Sequence, residues 1–169
     1  MPKAAVKPHP TNPSHTAPAA LALRRFRLIF NAVKTHFREV EKKAGLAGAQ
    51  LWALSVIHQA PGIGVGELAN TMDVHQSTAS NLLKALLAAG LVKVERIAAD
   101  RRAVALFTTA AGLKLLKRAP GPFSGVLPQA LASLDARTLA RLNRDLDKVI
   151  QALDVDEHAA NIPLGQPDK

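Results

Sequence analysis

Apolar residues recur at spacings of three and four along two long segments, one near each end of the chain. The first runs from about Ala19 to Lys43 and the second from Asp135, a favourable helix N-cap, to Leu153. Both segments carry polar residues between the apolar ones, so each predicts an amphipathic helix. The two helices are expected to flank whatever the middle of the chain forms.

In the middle of the chain, the spacing of apolar residues changes several times. A helix predicted over residues 49–59 ends before Pro61, because proline disfavours helical geometry in the residue that precedes it. Two shorter helices follow, Val65 to Met72 and Gln76 to Ala89, the second with Ala79, Leu82, Leu83, Leu86 and Leu87 on one side. After Val92, and again around Val104, larger apolar residues then occupy every second position, which predicts two strands joined at residues 98–101. The fold class predicted is mainly α, a winged helix-turn-helix with a two-stranded β wing.

Composition sets the domain organisation. The 169 residues, 48% of them hydrophobic, suffice for one domain, predicted at 19–153. Residues 1–18 contain five prolines and no apolar block, so they predict a disordered arm, and residues 154–169 predict a flexible acidic tail. Neither a signal sequence nor an apolar run of about 20 residues is present, which predicts a cytoplasmic protein without a membrane partner.

The charge is strongly positive and unevenly placed. Lys and Arg total 22 against 13 Asp and Glu, a formal net charge of +9, which favours a polyanionic partner. Residues 91–118 hold seven of the basic residues and only two acidic ones, whereas the end of the chain is acidic. The basic field therefore lies around the predicted wing.

The polar side of the helix at 76–89 carries short hydroxyl and amide groups. Such a helix can enter a DNA major groove, about 12 Å wide, and hydrogen-bond base edges or phosphates. An isolated helix of this kind more often presents an ordinary solvated face, but the helix before it and the wing after it favour DNA. The predicted contacts on this helix are Gln76, Ser77, Thr78, Ser80, Asn81 and Lys84.

The predicted wing adds a second group of contacts. Arg101 and Arg102 stand at its tip, where an arginine can enter a narrow minor groove of strongly negative potential. Asp100 would be repelled by phosphate, so its expected task is to hold an arginine in position. Arg96 completes the predicted DNA-contacting set. The alternative is a solvated hairpin with no ligand.

At these residues the sequence resembles the MarR (multiple antibiotic resistance regulator) family of bacterial transcription factors. The resemblance runs from about Ala20 to Leu153, and its most specific element is D-x-R at Asp100 to Arg102, followed by Thr109 and Gly112. It implies a homodimer with two winged modules (49–112) and dimerisation helices (19–48 and 113–153). It also implies a pseudo-palindromic operator and repression relieved by a small ligand. The expected dimer interface comprises Phe26, Phe30, Leu139, Leu142, Leu146 and Val149.

The chain departs from the family's pattern at several positions. His75 and Asn81 stand where the family often has a hydroxyl N-cap and an arginine, which predicts an unusual base preference. Thr108 replaces a common leucine, so weaker packing under the second strand is expected. The segment Pro120-Gly121-Pro122 predicts a break in a usually continuous helix, and this break could widen a pocket.

A ligand site is predicted near the first helix. Arg25 and His36 are separated by roughly 16 Å of helical rise, so one small ligand cannot touch both within one chain. In an antiparallel dimer, Arg25 of one subunit and His36 of the other could converge on a carboxylate. This arrangement would suit a small organic anion as effector, and the family resemblance implies that the anion is an aromatic carboxylate. The predicted ligand-binding set is Arg25, Ile29, His36, Trp52, Ser55 and His58.

Each of these ligand residues also has an ordinary structural interpretation. Arg25 and His36 could face solvent or phosphate, His58 could be a core or helix-end residue, and Trp52 could belong to the core.

Other classes of function lack the residues that they need. The chain has no cysteine, and its six histidines show no metal-binding spacing, so no metal or other cofactor is expected. No nucleophile beside a base and no phosphate-binding loop is visible, so the chain is not predicted to be an enzyme. The function predicted is a sequence-specific, dimeric, ligand-released repressor. The alternatives are a winged-helix protein-interaction module and a constitutive DNA-binding protein.

Overall fold

The computed structural model describes residues 16–97, 100–153, 155, 162 and 163 of the chain. These residues form seven helices and one two-stranded antiparallel sheet. In chain order the elements are α1 (Thr16–Ala44), α2 (Gly48–Gln59), α3 (Val65–Thr71), α4 (Gln76–Ala88), β1 (Val92–Ile97), β2 (Asp100–Thr108), α5 (Ala110–Arg118), α6 (Val126–Ala132) and α7 (Ala136–Leu153). The predicted fold class, mainly α with a winged helix-turn-helix, is confirmed.

The core lies where α2 meets its neighbours. Most residues of α2 are apolar and buried, because the helix packs against α1, α3, α4, α5 and β2. Leu54 and Ile57 of α2 are fully buried, together with Leu68 of α3 and Leu86 of α4. Burial of this kind stabilises by about 1.5–3 kcal/mol for each large apolar side chain. The helix-turn-helix is thus built around one shared apolar centre.

The wing is tied to the module by a third short pairing. β1 runs antiparallel to β2 with Val92 opposite Thr108. In addition, the Gly62 N–H donates to the Leu106 carbonyl at 2.8 Å, and the Leu106 N–H donates to the Ile63 carbonyl at 3.1 Å. Gly62 lies in the turn that follows α2, and the next residue, Ile63, pairs with Leu106 of β2. This pairing holds the wing against the start of α3.

A second junction fixes the base of the wing to α5. The Thr109 hydroxyl donates to the Gly90 carbonyl at 2.8 Å and accepts from the Gly112 N–H at 3.1 Å, which caps α5. A Cβ at Gly112 would overlap the Leu91 carbonyl oxygen, so only glycine fits there. The structure thereby gives a packing reason for the presence of Thr109 and Gly112.

The first helix is buried along only part of its length. It begins at Thr16, three residues before the predicted start, because Pro18 is tolerated in a first turn that has no intrahelical partner for its N–H groups. Val33, His36 and Val40 in its second half are buried. Its first half is exposed, and Leu28 there is 65% exposed. Only the second half therefore contributes to the core.

The break predicted at Pro120-Gly121-Pro122 is confirmed. Helix α5 ends at Arg118, and α6 begins only at Val126. The predicted N-cap of the last helix is confirmed as well, because the Thr138 N–H donates to an Asp135 carboxylate oxygen at 2.9 Å. The Thr138 hydroxyl donates to the other oxygen, and these bonds lower the pKa of Asp135 below its usual range.

Parts of the predicted termini lie outside the described residues. These are residues 1–15 of the arm and all of the acidic tail except residues 155, 162 and 163. Within the described part of the chain, no helix is long and apolar enough to cross a bilayer.

Candidate nucleic-acid interface and effector cavity

The second helix of the turn motif presents its polar side outward. Ala79, Leu82, Leu83 and Leu86 of α4 are buried against the module. The opposite face is exposed and carries amide, hydroxyl and ammonium groups, and no acidic residue lies on this helix. Its exposed predicted contacts are Gln76, Ser77, Asn81 and Lys84.

The other two predicted contacts on α4 are less available. Ser80 is half-buried, and its hydroxyl donates to the Gln76 carbonyl at 2.8 Å, so its proton is engaged within the helix. Thr78 is half-buried. The prediction that Leu87 belongs to the apolar side is wrong in part, because this residue, near the end of α4, is 37% exposed.

The turn between α3 and α4 sets the angle of this face. Asp73 has a φ of 51°, in the left-handed region that aspartate tolerates better than bulky residues do. Met72 before it is buried and Val74 after it is half-buried, so both anchor the turn to the core. The exposed face of α4 is therefore carried by a rigidly packed module.

On the wing, the structure describes the side chains of β1 up to Arg96. Arg96 is exposed, as a DNA contact must be. Lys93 forms an ion pair with Glu95 at 2.6 Å and lies 5.5 Å from the centre of the Phe107 ring, so its charge is partly compensated. The side chains of Asp100, Arg101 and Arg102 lie outside the described part of the structure, and their roles remain predictions.

The predicted ligand residues do not form one site within the described chain. His36 is buried, and its Nε2 donates to the Pro122 carbonyl at 3.1 Å, which holds the α5–α6 segment against α1. Ser55 is buried with its hydroxyl donating to the Trp52 carbonyl at 2.7 Å. His58 is exposed in the last turn of α2, so its interpretation as a core residue is wrong and that as a helix-end residue is correct.

A cavity of about 70 Å³ lies between α1, α2 and the segment that joins α5 to α6. Trp52 lines it, and the remaining lining was not predicted from the sequence, although the Pro-Gly-Pro break pointed to a pocket in this region. The lining residues are Val33, Phe37, Gly48, Ala49, Trp52, Phe123, Ser124, Gly125, Val126, Leu127, Pro128 and Pro163.

Arg25 and Ile29 belong to a different place, an apolar groove of about 380 Å³ between α1, α6 and α7. Four of the residues predicted for the dimer interface, Phe26, Phe30, Leu142 and Leu146, line the same groove. The other two, Leu139 and Val149, lie on α7, where Leu139 is half-buried and Val149 is 41% exposed. No residue described in α7 is buried, so this helix offers its apolar side to an open groove.

The geometry is that of a winged helix-turn-helix module attached to two amphipathic helices. Residues 44–103 match the model of the MarR family, which covers α2, α3, α4, β1 and the start of β2. A comparison with curated protein sequences finds no significant match.

Several solved structures have a similar fold. They include the MepR–DNA complex of S. aureus, 24% identical with a TM-score of 0.54, over 78% of this chain and 96% of that one. PcaV from Streptomyces coelicolor, complexed with its natural ligand, is 22% identical with a TM-score of 0.53, over 86% and 100%. A mutant MarR from E. coli, complexed with operator DNA, is 20% identical with a TM-score of 0.51, over 83% and 99%.

The similarity to the MarR family inferred from the sequence is confirmed. The chain has a winged-helix fold, and its match to the MarR family model, over residues 44–103, lies in the module that carries α4 and the wing.

Proposed function

We propose that this protein is a dimeric repressor that binds a pseudo-palindromic DNA operator and is released from it by a small organic effector. One observation carries the DNA-binding part of this proposal. The exposed face of α4 is polar and free of acidic groups, and it sits on a module whose other side is tightly packed. A helix of this kind, next to a wing, fits the major groove.

The groove between α1, α6 and α7 supports the proposed dimer. Leu28, Phe30 and Val149 are all more than 40% exposed, and the groove between their helices is almost wholly apolar. A second copy of the chain would cover these faces and place two copies of α4 on one side of the DNA. Two reading helices related by a two-fold axis require an operator with matching symmetry.

The relatives support both binding partners. MepR and MarR were solved with DNA, and PcaV was solved with its natural ligand. By analogy, DNA binding and release by an effector are proposed here for the present chain. Because the target is chromosomal DNA, we place the protein in the cytoplasm.

Selection from a library of random DNA duplexes tests the proposal. The full-length protein should enrich an inverted repeat, and affinity for it should fall steeply with added salt because phosphate contacts release counterions. Asn81→Ala should alter the enriched sequence, whereas Asn143→Ala, on the exposed side of α7, should not. A library that shows no enrichment would contradict sequence-specific binding. Salt-sensitive capture of an acidic protein with no binding to DNA would instead favour a protein-interaction module.

A further inference from the structure

The exposed side of α1 carries a row of positive charges. The four residues lie three, seven and four positions apart, so they share one strip of the helix about 21 Å long. They are Arg24, Arg27, Lys34 and Arg38, called the α1 row below, and all four are exposed. No acidic residue occurs between residues 16 and 38. The strip is therefore uniformly positive.

A second row of the same composition, on α7, is partly compensated by its own helix. This α7 row consists of the exposed residues Arg137, Arg141, Arg144 and Lys148. Lys148 forms an ion pair with Asp145 at 3.0 Å. The hydrogen bond and charge of Lys148, followed by the charges of Arg144 and Arg141, lower the pKa of Asp145. Within the described part of the chain, by contrast, no member of the α1 row takes part in an ion pair.

The α1 row faces away from the core and from the apolar groove. Val33 and Val40, which are buried, lie on the opposite side of α1. Phe26 and Ile29, which line the groove that a second copy is proposed to cover, also lie on that opposite side. The row therefore stays on the surface of the single chain and of the proposed dimer. Like charges at spacings of three and four repel one another and weaken a helix, so the row does not serve the fold.

The α1 row and the exposed face of α4 lie on different sides of the molecule. Helix α2 packs against both α1 and α4, so it lies between them. The buried sides of α1 and α4 belong to the core around α2, and their exposed sides therefore face different directions. One straight duplex held by α4 cannot also run along the α1 row, because the module separates the two surfaces.

We propose that the α1 row binds the phosphate backbone of a second DNA duplex, without regard to its sequence. Three of its four residues are arginines, whose planar guanidinium groups pair with phosphate oxygens through two hydrogen bonds. Duplex DNA carries one negative charge per about 1.7 Å of its axis, so a straight strip of about 21 Å meets phosphates along its whole length. That α4 holds a first duplex at the same time rests on the proposed function.

A membrane surface fits the α1 row less well than DNA does. A helix that lies on a bilayer inserts its apolar side at the headgroups and keeps its cations at the edge of that side. The apolar side of α1 lies opposite the row and forms a groove with α6 and α7, so the two cannot meet the same flat surface. An acidic protein would need carboxylates at matching positions, whereas a duplex supplies phosphates in any register.

A two-duplex capture experiment on the full-length protein tests the proposal. The protein is saturated with a short fluorescent duplex that carries its enriched inverted repeat, and a biotinylated duplex of random sequence is then added. Streptavidin should retain the fluorescent duplex, because one protein dimer holds both. Absence of retention would overturn the proposal. So would tighter binding of the α1 row to phosphatidylserine vesicles or to poly-glutamate than to the random duplex.

Matched variants locate the second contact. Replacing all four residues of the α1 row by glutamine should reduce retention at least about ten-fold and change operator affinity less than about three-fold. Replacing the α7 row by glutamine removes the same number and kind of charges, and retention should persist. An equal loss in both variants would reflect net charge alone and would overturn the proposal. Full retention in the α1 variant would do the same.

The salt dependence gives a readout that a folding defect does not produce. Each phosphate contact contributes about 0.9 to the slope of log affinity against log salt, so the α1 glutamine variant should lower the slope for the random duplex by about three. Arg24→Lys with Arg27→Lys and Arg38→Lys keeps every charge and should keep most of the retention. A loss as large as that of the glutamine variant would contradict binding to phosphates.

The second contact and the proposed function can fail separately. Enrichment of an inverted repeat without retention of a second duplex would leave the repressor and remove the role of the α1 row. If no sequence is enriched, the repressor is removed, and the row is tested by direct titration with the random duplex. The α1 glutamine variant should then bind more weakly than the α7 glutamine variant, and equal affinities would overturn the proposal.

Discussion

The winged module and the two long helices solve the same problem of covering apolar surface in different ways. In the module, Leu54 and Leu68 are fully buried by neighbours from the same chain. In α7, no residue is buried, and Leu153 is 60% exposed. Apolar side chains in the module are therefore covered by the same chain, whereas those on α7 are left exposed. The module completes its own core, whereas the long helices present a surface that a second copy can complete.

Placing charges in the apolar groove between the long helices should have the largest effect, on both dimer formation and operator affinity. Leu142→Glu with Leu146→Glu places two charges in the apolar groove, and the expected product is a monomer. A monomer binds one half-site at a time and loses the advantage of two linked contacts, about 10² to 10⁴ in affinity. Light scattering and operator titration measure both effects. Asp145→Lys with Asp147→Lys, at exposed polar positions of the same helix, is the control for changed charge. A double Leu→Glu variant that remains dimeric would refute this interface.

Denaturation at several protein concentrations can distinguish apolar residues that are buried within one chain from those that a second copy covers. Leu54→Ala should lower the free energy of unfolding by about 2–5 kcal/mol, because it leaves a cavity in the module's own core. The change in unfolding midpoint should be the same at every protein concentration. For Leu146→Ala it should depend on concentration, because a dimer's stability follows mass action. Denaturation at several concentrations distinguishes the two, and equal behaviour of both variants would erase the contrast.

Within the DNA interface, substitutions on α4 and on the wing should differ in how much they change the preferred DNA sequence. Asn81→Ala should cost about 1–3 kcal/mol on the preferred operator and change the preferred sequence, since base edges carry the sequence information. Arg102→Ala should weaken binding by a similar amount, with less change of preference, if the arginine contributes through the minor groove and phosphates. Competition with random duplexes makes the comparison. An Asn81→Ala loss that is equal on operator and random DNA would remove Asn81 from base recognition.

The smallest expected effect, on the free energy of unfolding, concerns an unsatisfied buried hydroxyl within the module. Among the described residues, Thr108 Oγ1 is buried without a hydrogen-bond partner. Thr108→Val keeps the shape and removes the unsatisfied hydroxyl, so it should raise the free energy of unfolding by about 1 kcal/mol. Thr138→Val is the matched control. It removes a hydroxyl that donates to the carboxylate of Asp135, the N-cap of α7, and it should lower stability. A destabilised Thr108→Val protein would mean that this hydroxyl has a partner after all.

Sequence periodicity was sufficient to predict the helices of the winged module, because each of them buries one clear apolar face. The rhythm of α4 separates Ala79 and Leu83 from Ser77 and Asn81, and the structure separates them in the same way. Two prolines around Gly121 were likewise enough to predict where the helix after the wing breaks.

The cavity between α1, α2 and the α5–α6 segment could not be predicted in the same way. A cavity depends on how separate segments pack, and the periodicity of α1 does not say that Val33 and Phe37 face a cavity while Arg25 faces a groove. The pairing of Ile63 with Leu106 also joins residues far apart in the chain, so local patterns carry no signal for it.

The spacing of operator half-sites tests the central claim most directly. Two copies of α4 held by one dimer must enter successive major grooves on the same side of the DNA, about 34 Å or 10 base pairs apart. Operators with roughly five base pairs inserted between the half-sites should lose the linked binding, and insertion of about ten should restore part of it. The expected complex contains two chains per operator. Affinity that ignores this spacing, or one chain bound per operator, would contradict the account of a dimer that reads DNA with two winged modules.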